Sequence, residues 1–452
     1  MAEERKSNQD RLKRVRKLLK TPQGQTHIRA ITGALHPTEL AQLLEDASPE
    51  IKEKILRQVP AEILSEALSE MDEEANPAKL LTLLEPKYAS DLIAELAPDD
   101  AVDLLAQLPE ELKDRILYFV PDEDELLLNQ LLDYDEESAG GLMNPDVITV
   151  QANMTKMDAL REAVNQSEDA EEFYAIYVID ENGLLEGYVS IKNLFQARNS
   201  ETVENIMDSE IISVKVHDDQ EEVAKLMSQY NLPTLPVIDD VGVLLGRITF
   251  DDILDVIEDE TTEDILNFAG VSEDENLRGG WADAVKSRMP WLLINMITAF
   301  LASQVIKQFE GLISELAVLA TFMPIIAGVA GNGATQTLAV TIRRISTDGV
   351  PARKAVKVVT KEVIVGMING IILGMLVSLI AVIRGDNPLL GVVVAIALFG
   401  NLFVAGLMGS LVPLTLARLK VDPAVASSIF ITAFTDIMGY TLLFSLTLWF
   451  LF

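Results

Sequence analysis

Asp436 stands midway along an apolar run, residues 424–451. A carboxylate in the middle of such a run is costly in hydrocarbon unless it is paired, wetted or protonated. No Lys or Arg lies at that depth in any apolar run of this chain. Its compensation must therefore be water, a proton or a bound cation. A second departure from lipid-facing sequence is Gly328-Val-Ala-Gly-Asn-Gly-Ala-Thr-Gln-Thr337. Polar, glycine-rich backbone at membrane depth is tolerated only against protein or a water-filled path. Asn332, Gly333, Thr335 and Gln336 are thus candidate pore-lining residues, with a packed kink as the plain alternative. The chain has no Cys, and its three His (His27, His36, His217) are scattered. Thiolate and imidazole metal centres are excluded on that count, so any metal chemistry must use oxygen ligands.

The elements that must carry these groups are five apolar runs, at about 291–306, 316–342, 358–383, 389–416 and 424–451. A crossing needs about 20 residues, so the first is near the minimum and the others suffice. With the N-terminus inside, the inside flanks hold ten Lys/Arg and the outside loops only Lys307 and Arg384. That bias predicts an N-inside, C-outside topology. Gly366, Gly370 and Gly374 in the third run make a small-residue face, read here as close helix packing.

The rest of the chain is of another kind. The 452 residues carry a net charge of −34, yet from Met289 onward seven Asp/Glu face ten Lys/Arg, so residues 1–288 hold −37. An acidic soluble half therefore precedes an apolar half. Its start is basic (Arg11, Lys13, Arg14, Arg16, Lys17, Lys20) with no apolar stretch behind it, which reads as a solvated helix face and not as a signal peptide. Prolines at 37, 49, 60, 86, 98, 109 and 121 recur every 11 or 12 residues across all but one gap. Pro favours the first helical turn, and several are followed by Asp or Glu, which suit the helix dipole. A small α-solenoid of short helices is expected.

A second repeat follows. Leu142-Met-Asn-Pro-Asp-Val-Ile-Thr-Val matches Ile206-Met-Asp-Ser-Glu-Ile-Ile-Ser-Val at an offset of 64, and Val178-Ile-Asp matches Val237-Ile-Asp at 59. The five extra residues of the first copy are expected in Asn165–Phe173. The run Leu235-Pro-Val-Ile-Asp…Leu245-Gly-Arg-Ile-Thr-Phe-Asp-Asp-Ile resembles a CBS domain, and the first copy a looser one. Beyond it a helical acidic stretch is expected to reach about Asn276, broken at Gly279-Gly280, with Trp281–Arg288 leading into the membrane.

The order of parts resembles the MgtE family of magnesium channels over nearly the whole chain. The most specific stretches are Ser138-Ala-Gly-Gly-Leu-Met143, Asn332–Thr337 and Phe434-Thr-Asp-Ile-Met-Gly439. The resemblance implies a multi-domain protein. A cytosolic α-solenoid (1–137) is followed by an α+β tandem CBS pair (138–200 and 201–262), a connecting helix (263–288) and an all-α membrane domain of five transmembrane helices (289–452). It implies a homodimer in the cell membrane whose fifth spans line a pore, with Asp436 holding hydrated Mg²⁺ and backbone groups near Thr432 assisting. It also implies ATP at the CBS pair, in the second copy at Thr249-Phe-Asp251-Asp252. The second span reads Ala330-Gly-Asn-Gly-Ala-Thr-Gln336 where the family usually has Gly-Gly-Asn-Ala-Gly-Thr-Gln, and Asn231 stands where a relative is acidic.

The acidic half supplies candidates for a Mg²⁺-sensing gate. They are Asp99 and Asp103; Asp219 and Glu221; Asp251, Asp252 and Asp255; Glu260, Glu263 and Asp264; and Asp422. Each alone reads equally well as a solvated helix face. Together they repel without divalent ions and are bridged with them, which would draw the connecting helices over the pore mouth. The partners expected are Mg²⁺, the lipid bilayer and a second copy, with no nucleic acid. A proton- or Na⁺-coupled divalent cation carrier, with Asp436 as the titrating group, is the alternative. No His-Glu-x-x-His, Ser/His pair or Walker loop supports an enzyme. A pure membrane anchor would need neither Asp436 nor the polar second span.

Overall fold

Every proline in the first repeat begins a helix. In the computed structural model α1 (Ile28–Thr32) is followed by α2 (Pro37–Asp46), α3 (Pro49–Leu56), α4 (Ala61–Ser69) and α5 (Ala78–Leu81). After these come α6 (Pro86–Ile93), α7 (Pro98–Ala106), α8 (Glu110–Leu117) and α9 (Asp122–Leu131). Pro37, Pro49, Pro86 and Pro98 occupy the first turn, and Pro60, Pro109 and Pro121 sit at the cap. The structure describes residues 27–72, 75–166, 174–272, 275, 279–348, 352–384, 387–419, 421–423 and 427–452, together with 13, 15, 17–19 and 21. Most of the basic N-terminal segment and residues 167–173, where the extra length of the first CBS copy was expected, lie outside that set.

Alternate helices stack: α2 on α4, α4 on α6, α6 on α8, with α1 on α3 and α7 on α9. This two-layer winding is the expected solenoid. Its core is a continuous leucine-rich cluster from Leu40 through Leu131 that extends into the second CBS copy at Val223, Leu235 and Ile248. The gap in the proline series is filled by α5, entered through Asn76 in the left-handed region.

Each CBS copy is a three-stranded sheet with helices. The first comprises β1 (Thr149–Gln151), α10 (Lys156–Gln166), β2 (Ala175–Ile179), β3 (Leu185–Ser190) and α11 (Ile191–Gln196). After α12 (Val203–Ile206) the second comprises β4 (Val214–Lys215), α13 (Gln220–Tyr230), β5 (Thr234–Ile238), β6 (Leu244–Thr249) and α14 (Phe250–Ala269). In both sheets the first strand runs parallel to the second and the third antiparallel to it, with the same bulge at Val178/Ile179 and Val237/Ile238. The copies also exchange edges. Asn144, ahead of β1 in the first copy, bridges Arg247 of the second, and Asp208, ahead of β4 in the second, bridges Tyr188 of the first. Gly246 permits one of these approaches, because a Cβ there would lie 2.7 Å from the Asn144 carbonyl oxygen. Asn231 caps α13 in the left-handed conformation, a backbone task that Asn performs well.

The connecting region differs from expectation. The boundaries drawn at 262/263 and 288/289 both fall inside helices, so 263–288 is not one connecting helix. α14 runs unbroken from the CBS fold to Ala269. It stops there, short of Asn276, because Gly270 takes φ +74 and Val271 N–H returns to Leu266 O. A new helix, α15 (Trp281–Gln308), then starts at Gly280 and passes through Pro290 into the first span.

The membrane unit, Thr261–Phe452, continues with α16 (Glu310–Glu315), α17 (Leu319–Asp348), α18 (Ala352–Ile383), α19 (Pro388–Arg418) and α20 (Ser427–Leu451). Among the described residues, five helices are long and apolar enough to cross a membrane. α19 is the hub, packing on α17, α18 and α20. The expected glycine face is used as read: a Cβ at Gly366, Gly370 or Gly374 would run into the α19 backbone at Leu402, Phe399 or Ala395. The polar glycine-rich segment is α-helical throughout, within α17, whose Pro324 lies one turn before it.

Candidate functional site in the membrane and acidic clusters outside it

Thr432, Asp436 and Tyr440 recur every four residues on α20 and so share one face. All three are half-buried within the single chain. Among the described residues, no hydrogen bond or ion pair engages the Asp436 carboxylate. Thr432 Oγ1 donates to Ser428 O at 2.7 Å, and Thr432 O accepts from Thr435 Oγ1 at 2.8 Å. α17 meets this face at Gly331, whose Cβ position lies 3.6 Å from Thr432 Cγ2. One and five residues on, Asn332 and Gln336 are exposed. Gly333 and Thr335 are half-buried, Thr335 Oγ1 donating to Gly331 O at 3.0 Å. A half-buried carboxylate on a helix face shared with a threonine can receive a hydrated cation through its waters. Mg²⁺ suits that mode because it sheds water reluctantly.

Two polar features of the bundle escaped the sequence reading. Glu362 on α18 is buried and pairs with Lys361 Nζ at 3.1 Å, beside a cavity of ≈ 250 Å³ also lined by Gln336, Thr337 and Asn369. Asn401 on α19 is fully buried. Single polar residues in apolar helices leave no periodic signal to read.

In the soluble unit the acidic candidates are regrouped. Asp103 is exposed, whereas Asp99 turns inward. It accepts from Asn144 Nδ2 at 3.1 Å and lies near Asp252. Burial, aided by Asp100 and Asp252, pushes the Asp99 carboxyl from its ordinary 3.8 up to about 8. Asp252 accepts from Thr249 N and Oγ1 at 3.1 and 2.6 Å, and burial raises it too. Asp255 is raised by burial and by Glu258, Asp251 and Glu70, while Asp251 is exposed. A second group joins Asp219, Glu221 and Glu260. Glu260 accepts from Gln220 Nε2 at 2.8 Å and is raised by burial, then by Glu221, Asp219 and Glu137. Asp219 also caps α13 through Glu221 N at 2.9 Å. In the membrane unit, burial and the neighbouring Asp422 raise Asp264, with Arg343 opposing. Asn267 Nδ2 links Glu263, at 3.2 Å, to Asp422, at 3.5 Å. Sequence reasoning missed Glu70, Glu137, Asn144, Gln220 and Asn267, whose only signal is their place beside the acids in space. Among the described residues, no three carboxylates or imidazoles converge closely enough to grip an ion on one chain.

The raised Asp99 has a consequence with a definite sign. A carboxyl that holds its proton more tightly folded than unfolded favours folding at acid pH, and that advantage is lost as pH climbs from about 4 to about 8. A fragment of residues 1–270 is therefore expected to melt at a lower temperature at pH 8.5 than at pH 6, without divalent ions. Asp99→Asn should remove the larger share of the difference. Equal pH dependence in the wild type and the variant would show that Asp99 does not titrate in this way.

Five candidate membrane-spanning helices joined to an acidic α-solenoid and a CBS pair define a multi-pass membrane transport protein. The chain matches the family model described as a divalent cation transporter over residues 323–446, that of the MgtE intracellular N domain over 35–137, and that of the CBS domain over 139–200 and 203–259. It is 34% identical over 319 residues to the magnesium transporter MgtE of Enterococcus faecalis, covering 71% of this chain and 70% of that one. To the magnesium transporter MgtE of Thermus thermophilus it is 36% identical over 309 residues, 68% of each. A crystal structure of the soluble part of a magnesium transporter is 31% identical, with TM-score 0.51, and covers 56% of this chain and 99% of that one. The chain belongs to the MgtE family of magnesium transporters, and divalent cation transport is its activity.

Proposed function

We propose that this chain is a Mg²⁺-selective channel that admits Mg²⁺ down its gradient and closes when cytosolic Mg²⁺ binds its acidic domains. The observation that carries the reading is Asp436: a mid-span carboxylate with no basic partner, half exposed, on a face shared with Thr432 and bordered by the polar segment of α17. Two such faces about a dimer axis would hold a hydrated ion favourably enough to enter and weakly enough to leave. A second copy of the chain is the partner proposed to close the pore.

The gate in this reading is the set of acidic groups. Asp99 with Asp252, Glu260 with Asp219 and Glu221, and Asp264 with Asp422 each gather carboxyl groups in part-buried surroundings, where ionising them together is costly and a bridging cation, displacing a proton where one is held, is worth most. Asp103, Asp251, Asp255 and Glu263 flank these groups. Several weak sites acting together could supply the few kcal/mol that a two-state switch requires. The protein would lie in the cell membrane with this half in the cytosol.

The test is Mg²⁺ flux into proteoliposomes with and without a superimposed proton or Na⁺ gradient. Flux driven by the Mg²⁺ gradient alone is the expected result, and flux that needs either second gradient would make the protein a coupled carrier. ATP is the ligand proposed for the second CBS copy, at Thr249, Asp251 and Asp252. Equilibrium binding to a 138–262 fragment is expected to find one nucleotide per chain, weakened at least tenfold by Asp251→Ala with Asp252→Ala. No uptake by the unmutated fragment would remove ATP from the account.

A further inference from the structure

The geometry points to Asn401 as a positioning residue that fixes the last span, and hence Asp436, through an amide wedged against Gly439. The inference rests on the proposed role of Asp436 as the cation site. Asn401 is on α19, the helix about which the bundle packs, and is wholly buried. Its Nδ2 donates to Ile326 O on α17 at 3.3 Å. Its Oδ1 has no hydrogen-bond partner among the described residues. A buried amide with half its polar groups unanswered is a poor choice for stability alone, because an apolar residue of that size would carry no such cost. On its other side the amide meets bare backbone: a Cβ at Gly439 would overlap Asn401 Nδ2 and lie 3.0 Å from Ile326 Cγ2.

Asn401 therefore touches both helices that bear the site. Gly439 follows Asp436 by three residues, less than one turn of α20, or about 4.5 Å of rise. Ile326 precedes Asn332 by six residues on α17, two residues after Pro324, where the helix lacks one backbone donor. One side chain thus sets the separation of α17 from α20 at the level of the carboxylate. A smaller residue would let α20 rotate or settle inward. A larger one at 439 would push it out. Either movement changes the distance between Asp436 and the ion's water shell, and so changes which hydrated ion fits.

The discriminating experiment is a size exchange read in proteoliposomes. Flux of Mg²⁺ and of Ca²⁺ is measured for the wild type, Asn401→Ala, Gly439→Ala, the double variant and Asp436→Ala, with thermal stability followed in parallel. Gly439→Ala is expected to lower Mg²⁺ flux at least tenfold. Asn401→Ala should raise the Mg²⁺ concentration for half-maximal flux about fivefold and narrow the Mg²⁺:Ca²⁺ ratio, with less change in maximal flux. The double variant, in which the truncated side chain makes room for the added methyl, should recover flux relative to Gly439→Ala. Asn401→Leu, which keeps most of the bulk without the amide, should stay closer to the wild type than Asn401→Ala and serves if the alanine variant misfolds. A double variant no better than Gly439→Ala overturns the inference. So does an Asn401→Ala protein with unchanged half-saturation and selectivity. All variants are compared with the wild type under one gradient, so a need for coupling would overturn the channel reading without touching this one. Undiminished flux in Asp436→Ala would overturn both.

Discussion

Alanine in place of Asp436 is expected to reduce Mg²⁺ flux by about a hundredfold or more while leaving the protein folded and inserted. A charge-assisted hydrogen bond from an ordered water to a carboxylate is worth about 1.5–3 kcal/mol. A dimeric pore would lose two such carboxylates at once, and each 1.4 kcal/mol is about tenfold. The fold should tolerate the change, because among the described residues the carboxylate makes no hydrogen bond or ion pair that alanine would break. Asp436→Asn should fall between, since it keeps a water acceptor but loses the charge. Radiotracer or dye-reported flux at several Mg²⁺ concentrations distinguishes lost binding from lost conduction. Flux within twofold of the wild type in Asp436→Ala would move the cation path elsewhere, with the Glu362 cavity next in line.

Neutralising Asp251, Asp252 and Asp255 together should shift inhibition by cytosolic Mg²⁺ to roughly tenfold higher concentration. Asp252 lies near Asp99, and Asp255 near Glu70, so these acids oppose the solenoid within the soluble unit. Removing them takes away both the repulsion that separates the surfaces without Mg²⁺ and the oxygens that a bridging ion would use. The switch then loses part of its differential affinity, and a ligand can shift an equilibrium only by that difference. Patch recordings or flux at stepped internal Mg²⁺ would read the midpoint. An unshifted midpoint would place the sensor in the Asp219–Glu221–Glu260 or Asp264–Asp422 groups.

Much of this architecture is legible in the amino-acid sequence. A proline every 11 or 12 residues dictates helix starts through its fixed φ and missing N–H, so the solenoid could be read directly. The CBS repeat was legible because paired offsets of 64 and 59 reappear as paired strands with a shared bulge. The spans follow from hydropathy. Helix ends were less legible: Gly270 stops α14 in a stretch that is otherwise acidic and helical, and one glycine carries little weight against that pattern. The acidic residues were legible as a population, but which of them lie near one another in space was not. Asp99 and Asp103 are one turn apart, yet only Asp99 turns inward, and its neighbour Asp252 is more than a hundred residues away in the chain. Asn401 gave no sign at all, because nothing in its surrounding sequence says that a glycine on another helix leaves room for it.

The reciprocal bridges Asn144–Arg247 and Asp208–Tyr188 mean that neither CBS copy is complete in its own stretch of chain. Each lends the segment ahead of its first strand to the other's sheet. A chain severed between residues 200 and 203 would leave two half-modules, each with an open strand edge seeking the piece it has lost. The remedy nearest to hand would be a second molecule's copy of that same piece. Although two repeats in sequence, the pair is therefore expected to melt as one body.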